Sequence, residues 1–309
     1  MSEPRSIEST ISQLKGQETS IKALWTDFLA LIKIGIINSN LITTFTGYWL
    51  ALYFTGNTFS WSTFILLMAG TSFVIAGGCV INNWYDRDID HVMSRTKTRP
   101  TITGTIPLNV VIGMGVAFSI IGFMLLYLTT PMAAVYGFFG WFVYVVLYTM
   151  WSKRKYTINT VVGSFSGAAP PLIGWAAVDA SLHPVAFVLF LVMFIWQTPH
   201  FLSLAIRKRD EYSKAGIPML PVVYGNNITK RQILIYTICL LPLPFYFFSL
   251  GPIFLVFASL LNIGWLLIAI YGFKMKDDDR WAKWMFVYSL NYLTFFFVGL
   301  VVATLPIFA

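Results

Sequence analysis

Nine long apolar stretches are separated by polar ones, and every basic residue lies in alternate separators or, for Lys33, at the adjoining end of a stretch, a pattern that leaves few folds open to this chain. Each stretch is near the roughly 20 residues an α-helix needs to cross the hydrocarbon core of a bilayer. The spans read approximately 28–53, 61–84, 107–128, 132–151, 158–178, 185–206, 232–250, 252–273 and 284–306. Cytoplasmic loops collect Lys and Arg, whereas translocated loops of similar length do not. The N-terminal segment holds Arg5, Lys15, Lys22 and Lys33, and the second connection Arg87, Arg95, Lys97 and Arg99. The fourth holds Lys153, Arg154 and Lys155, and the sixth Arg207, Lys208, Arg209, Lys214, Lys230 and Arg231. With Lys274, Lys276, Arg280 and Lys283 in the eighth, all 21 basic residues lie on one side. A wrong span count would scramble that alternation. The expectation is therefore an all-α, polytopic membrane protein with nine transmembrane helices in one bundle and a cytoplasmic N-terminus.

Composition agrees, since 57% hydrophobic and 11% charged residues exclude an ordinary soluble domain. The net charge of +8 is then a topology signal, and nucleic-acid binding is not needed to explain it. Residues 1–27 are expected to form a cytoplasmic tail and residues 28–309 one membrane domain. The tail has Glu3, Glu8 and Glu18 and no apolar core, so it resembles neither a secretory signal nor a transit peptide, and a bacterial plasma membrane is the simplest address. Cys79 and Cys239 lie in apolar spans without metal-ligand spacing and read as packing residues. The small residues Gly163, Ser164, Ser166, Gly167, Ala168 and Ala169 suit close helix contact in the fifth span.

Polar chemistry gathers in the long second and sixth connections, which places function on the cytoplasmic side. The second opens NNWYDRDIDHVMSRTKTRP at residues 82–100. Asn82, Asp86 and Asp90 recur at i, i+4 and i+8, which puts them on one face of a helix while Asp88 points elsewhere. Two carboxylates and a carboxamide, with Asn83 as a further oxygen, suit Mg²⁺ bound jointly with substrate phosphates. Arg95, Lys97 and Arg99, interleaved with Thr96 and Thr98, supply phosphate-oxygen donors. Two readings stay open: a diphosphate and metal site, favoured by the spacing, or a polar helix end meeting water.

The run N-x-x-x-D-x-x-x-D at Asn82, Asp86 and Asp90, continued by M-x-R-T-x-x-R-P from Met93 to Pro100, resembles the first motif of the UbiA-type intramembrane prenyltransferases. WSKRKYTINT at 151–160, SGAAPPLIGW at 166–175 and TPHFLSLAIRKRDEYSKAGIPMLP at 198–221 are similar to the branch of that family which farnesylates heme. The resemblance implies farnesyl diphosphate and heme B as substrates, Mg²⁺ as cofactor, heme O and diphosphate as products, and a heme A-forming oxygenase as a downstream partner. It further implies Asn82, Asp86 and Asp90 as metal ligands, with Arg95, Arg99, Lys153 and Arg154 on the diphosphate. Aromatic faces stabilise an allylic cation, and Tyr148 is the candidate chosen from Trp84, Tyr85, Tyr144, Tyr148, Trp151 and Trp196.

The sixth connection departs from the wider family, which carries a second D-x-x-x-D; here Asp210 and Glu211 are adjacent. Asp210 is expected to hold a second Mg²⁺ or to orient a diphosphate-binding cation such as Lys208. His200, an ionisable residue in an apolar helix, is a candidate heme-iron ligand or acid–base group, against a packing role. His91 is expected to support Asp90, and His183 to lie at the surface. Prenylation of an aromatic quinone precursor is the alternative activity. A transporter fits less well, because its polar residues would sit near the bilayer midplane.

Overall fold

The computed structural model describes residues 22–305, which are helical throughout and contain no strand. Helix α1 spans Lys22–Ile32 and meets α2, Ile34–Thr55, at a 52° bend. There follow α3 (Trp61–Tyr85), the single turns α4 (Arg87–Asp90) and α5 (Pro100–Thr103), α6 (Leu108–Tyr127) and α7 (Pro131–Phe142). A π-helix over Val143–Ser152 continues α7, and α8 covers Asn159–Ala176. Next come α9 (Pro184–Arg207), α10 (Arg209–Lys214) and α11 (Leu220–Cys239), which runs on into a 3₁₀ stretch at Leu243–Leu250. Helices α12 (Pro252–Tyr271) and α13 (Asp278–Ala303) complete the bundle.

Local chemistry sets several starts. The Thr130 hydroxyl accepts from the Ala133 N–H at 3.0 Å and the Asp277 carboxylate from the Arg280 N–H at 3.0 Å, each satisfying a donor that a helix N-terminus leaves orphaned. Proline sits at or next to the first position of α7, α9 and α12, where its missing N–H costs nothing.

Seven helical segments are long and apolar enough to cross a bilayer, and the bent α1–α2 pair makes an eighth. Helix α8 falls short of that standard because it carries glycines, serines and the internal prolines Pro170 and Pro171. Its chemistry matches its place: walled in by α2, α7 and α9, it does not have to face lipid. The approach is close, for a Cβ on Gly174 would stand 2.0 Å from the Thr44 carbonyl oxygen, and one on Gly47 would stand 2.1 Å from that of Pro171. Large apolar side chains fill the other half of the interior, with Trp265, Trp281, Tyr292, Phe296 and Phe297 fully buried between α9, α11, α12 and α13.

Three boundaries differ from the sequence reading. The first span is broken at Lys33, whose φ of 55° and ψ of 57° interrupt the helix. The sixth connection is largely helical: α10 occupies its middle, and α11 begins at Leu220 and turns at Gly225, whose φ of 77° only glycine adopts without strain. Cys239, expected to pack inside, is exposed at the end of α11, whereas Cys79 is buried. The expected tail lies outside the described residues up to position 21, and its last part forms the start of α1.

Candidate active site

Helix α3 stops at Tyr85, Asp86 adopts φ −86° and ψ 5°, and the chain resumes for one turn as α4. The break does not lose the register. The Asp86 N–H donates to the Asn82 carbonyl and the Asp90 N–H to the Asp86 carbonyl, both at 2.9 Å. Asn82, Asp86 and Asp90 are consequently all buried, at 3%, 0% and 2% exposure, while Asp88 projects outward.

Facing them is the π-helix, in which the Lys153 N–H reaches the Tyr148 carbonyl five residues back. Its wider turn alters which side chains share a face, and such segments recur at functional sites. Here it lays Tyr144 and Tyr148 in a stack, centroids 5.9 Å apart and planes within 16°, and brings Thr149 and Lys153 onto α3. The Lys153 ammonium donates to Asp86 Oδ2, which also accepts from Asn82 Nδ2 at 2.7 Å. Asn82 Nδ2 donates in addition to Thr149 Oγ1 at 3.0 Å. Its other end, Oδ1, accepts from Lys33 Nζ at 2.6 Å, and Lys33 reaches the Tyr144 hydroxyl at 3.3 Å. Arg99, directly before α5, is paired with Asp90.

The remaining candidates are placed variously. Arg154 forks onto Asp88 at 2.6 and 2.7 Å and touches Asp86 Oδ1 only at 3.3 Å. Its guanidinium holds the Asp88 carboxyl below the usual range. Asn83 is turned from the cluster: its Nδ2 donates to the Leu31 carbonyl at 2.8 Å, fastening α3 to α1, and its Oδ1 is buried without a partner. Arg95 is exposed. Burial pushes the Tyr212 phenol up and the nearby Tyr148 phenol adds to this, while the charges of Arg95 and Lys153 oppose it.

Asp210 is exposed, while Lys208 pairs with Glu211 at 2.7 Å. Glu211 Oε2 also accepts from the Ser94 N–H at 3.2 Å and hydroxyl at 2.9 Å, so the second and sixth connections are tied together. The Lys208 ammonium, with Ser94 adding to it, holds the Glu211 carboxyl low. His200 lies apart on α9, bonded to Ser289 of α13.

Among the described residues no three His, Cys, Asp or Glu side chains form a metal cage. The donors present still suit Mg²⁺, which commonly binds through one or two carboxylates plus substrate phosphates. Asn82 Oδ1 and Asp86 Oδ2 are already turned toward cations, with the Lys33 and Lys153 ammonium groups seated on them. The sequence reading missed Lys33 as a site residue, having counted it only as a topology charge. A lone lysine inside LALIKIGII was the available signal. Nothing in the sequence marked Thr149 or Ser94.

The UbiA prenyltransferase family model matches residues 40–303. A protoheme IX farnesyltransferase of Geobacillus sp. (strain WCH70) is 59% identical over 293 residues, covering 94% of this chain and 95% of that one. Protoheme IX farnesyltransferase 2 of Bacillus subtilis (strain 168) is 59% identical over 283 residues, 91% of this chain and 93% of its own. Among solved structures, a digeranylgeranylglyceryl phosphate synthase superposes with a TM-score of 0.73 at 20% identity over 91% of this chain and 98% of that one. A UbiA homolog from Archaeoglobus fulgidus bound to GPP and Mg²⁺ gives 0.63 at 16% identity, over 89% and 99%. The two structures speak to the fold; the matched family model and relatives covered nearly end to end speak to descent, and the chain belongs to the UbiA prenyltransferase family.

Proposed function

We propose that this chain transfers the farnesyl group of farnesyl diphosphate to a vinyl group of heme B, with addition of water, releasing diphosphate and heme O. Relatives near 60% identity that carry the protoheme IX farnesyltransferase name support the choice of acceptor. The observation that carries the chemistry is the concentration of Lys33, Arg99, Lys153 and Arg154 around the buried Asn82–Asp86–Asp90 face. Such a set is built for a polyanion with its own counter-cation.

The allylic C–O bond breaks with its electron pair leaving on the diphosphate, and the four cations stabilise that developing charge. Mg²⁺ held by Asp86, Asp90 and Asn82 supplies further charge neutralisation of the diphosphate when it is bound. The stacked Tyr144 and Tyr148 present π-faces to the farnesyl cation and exclude water from it. The vinyl π-pair of heme B forms the new C–C bond, and the benzylic-type cation left beside the porphyrin takes a water oxygen and loses a proton to solvent. Arg95 completes the diphosphate contacts, with Lys208 and Asp210 at the rim. His200 is assigned to the heme iron.

The proposal sets this chemistry at the cytoplasmic face of a nine-span bundle in a bacterial plasma membrane, with the N-terminus cytoplasmic and α8 as the fifth span. Residues 1–27 then precede the membrane domain 28–309, and a heme A-forming oxygenase receives the product. Mass analysis of heme extracted from cells expressing the chain tests it. The expected product is heme B plus one farnesyl group and one hydroxyl, lost in Asp86→Asn and Asp90→Asn. A labelled farnesyl product on an aromatic acid, with heme unmodified, would overturn it.

A further inference from the structure

His200 sits in a setting that a packing histidine does not require. Its ring is stacked between Trp196, 4.8 Å away and 18° from parallel, and Phe286, 4.7 Å away and 25° from parallel. Phe201 meets it edge-on at 5.0 Å. With both faces covered, only the ring edge is open to a partner. Nδ1 lies 2.7 Å from the Ser289 hydroxyl, and Nε2 takes no hydrogen bond among the described residues.

The direction of that Nδ1 bond follows from proton counting. The Ser289 hydroxyl has one hydrogen. Its oxygen stands 2.5 Å from the Phe286 carbonyl, which has no proton to give, so the serine proton must lie in that contact. At the other contact the hydroxyl can only accept, and Nδ1 must donate. Turning the hydroxyl proton to Nδ1 instead would leave two bare oxygens, Ser289 Oγ and the Phe286 carbonyl, 2.5 Å apart.

We infer that Ser289 is a positioning residue which fixes His200 as the Nδ1–H tautomer, leaving the Nε2 lone pair in the ring plane as the ligand to the iron of the heme substrate. The inference rests on the assignment of His200 to the heme iron above. A ligating imidazole ordinarily donates its second N–H to an acceptor, which sets ring orientation and raises ligand basicity; here a serine hydroxyl on α13 plays that part for a histidine on α9. With its faces covered by aromatic rings, the imidazole can meet the heme iron only through its own ring edge, at Nε2.

Two measurements on the full-length protein in lipid nanodiscs separate the parts. The chain has three histidines, His91, His183 and His200, so ring-¹⁵N labelling gives few signals, and His200→Ala identifies the one that matters. Without heme, the expected result at neutral pH is a protonated Nδ1 and a bare Nε2. A protonated Nε2 overturns the tautomer assignment whatever heme does.

Ferrous heme B is then added, and the iron–histidine stretching band is read by resonance Raman. The band should be present in the wild type, absent in His200→Ala and shifted to lower frequency in Ser289→Ala. It should return toward the wild-type position in Ser289→Thr, which keeps the hydroxyl. Heme affinity in Ser289→Ala should fall by about tenfold, the lower end for loss of a partner that orients a metal ligand. A band that survives His200→Ala overturns the iron assignment and the inference with it. A band unmoved in Ser289→Ala overturns the role of Ser289 while leaving His200 on the iron. Should Ser289→Ala fail to fold, the wild-type ¹⁵N result still decides the tautomer, and Ser289→Thr still reads the hydrogen bond.

Discussion

Two lysines of this protein, Lys230 buried and Lys153 partly buried, each hold an aspartate, and their surroundings differ in a way that separates structure from chemistry. Lys230 on α11 donates to the Gly272 carbonyl at 2.7 Å, pairs with Asp278 and lies over the Trp281 ring at 5.3 Å. The second oxygen of Asp278 is taken by Asn226. One cation meets one anion. Around Lys153 the count is uneven: Lys33, Arg99, Lys153 and Arg154 gather about Asp86, Asp88 and Asp90. A cluster with more cationic side chains than carboxylates is one that an incoming anion would balance. Balance marks the clamp, and imbalance marks the site.

The comparison breaks if matched substitutions behave alike. Lys153→Met is expected to lower turnover of farnesyl diphosphate by about 100-fold, the scale for losing one donor to a developing anion, with little change in melting temperature. Lys230→Met should do the reverse: removing one partner of a buried pair costs about 3–5 kcal/mol when burial is complete, and about 2 kcal/mol here because Asp278 is partly exposed. Paired measurements of kcat and of detergent-solubilised thermal melting separate the two, and equal loss of stability in both would erase the distinction.

Asp88→Asn sharpens the boundary of the site. Asp88 is 59% exposed and serves mainly to hold Arg154, so its loss should cost no more than about 1 kcal/mol of stability, as exposed ion pairs do. Turnover should fall far less than in Asp86→Asn, and equal losses would count against the inward face of Asn82, Asp86 and Asp90. The smallest effect concerns pH. Asp88 and Glu211 both have folded-state carboxyls held below their ordinary values of 3.8 and 4.5 by Arg154 and Lys208 respectively. A depressed carboxyl stabilises the fold fully above its unfolded value and loses that contribution as pH falls through the folded one. Melting temperature should therefore be insensitive to these groups near neutrality and decline gently below about pH 4.5, a decline that Asp88→Asn together with Glu211→Gln should flatten.

The apolar spans were legible because a bilayer demands a long apolar run wherever a helix faces lipid. The buried stripe Asn82–Asp86–Asp90 was legible for a related reason, since its four-residue period survives the break at Asp86. What stayed hidden depends on partners distant in sequence or on backbone departures. The π-helix at Val143–Ser152 has no sequence signature that distinguishes it from an α-helix, so the delivery of Thr149 and Lys153 to α3 could not be foreseen. The sequence marks Arg154 as a cation for the diphosphate but gives no sign that its fork also holds Asp88. Asn83, adjacent to a metal candidate, turns away because successive helical positions face about 100° apart. Ser289, 89 residues from His200, is one serine among many until α13 is laid against α9.

Lys33 is the one non-glycine among the described residues with a left-handed backbone, a conformation that costs about 1 kcal/mol or more in an L-residue. The same peptide unit that bends the first span also throws the ammonium inward to Asn82 and Tyr144. A single residue thus acts as both elbow and fingertip: any change in the bend between α1 and α2 would shift a positive charge against Asn82, gearing the angle of the first span to the grip on the leaving group.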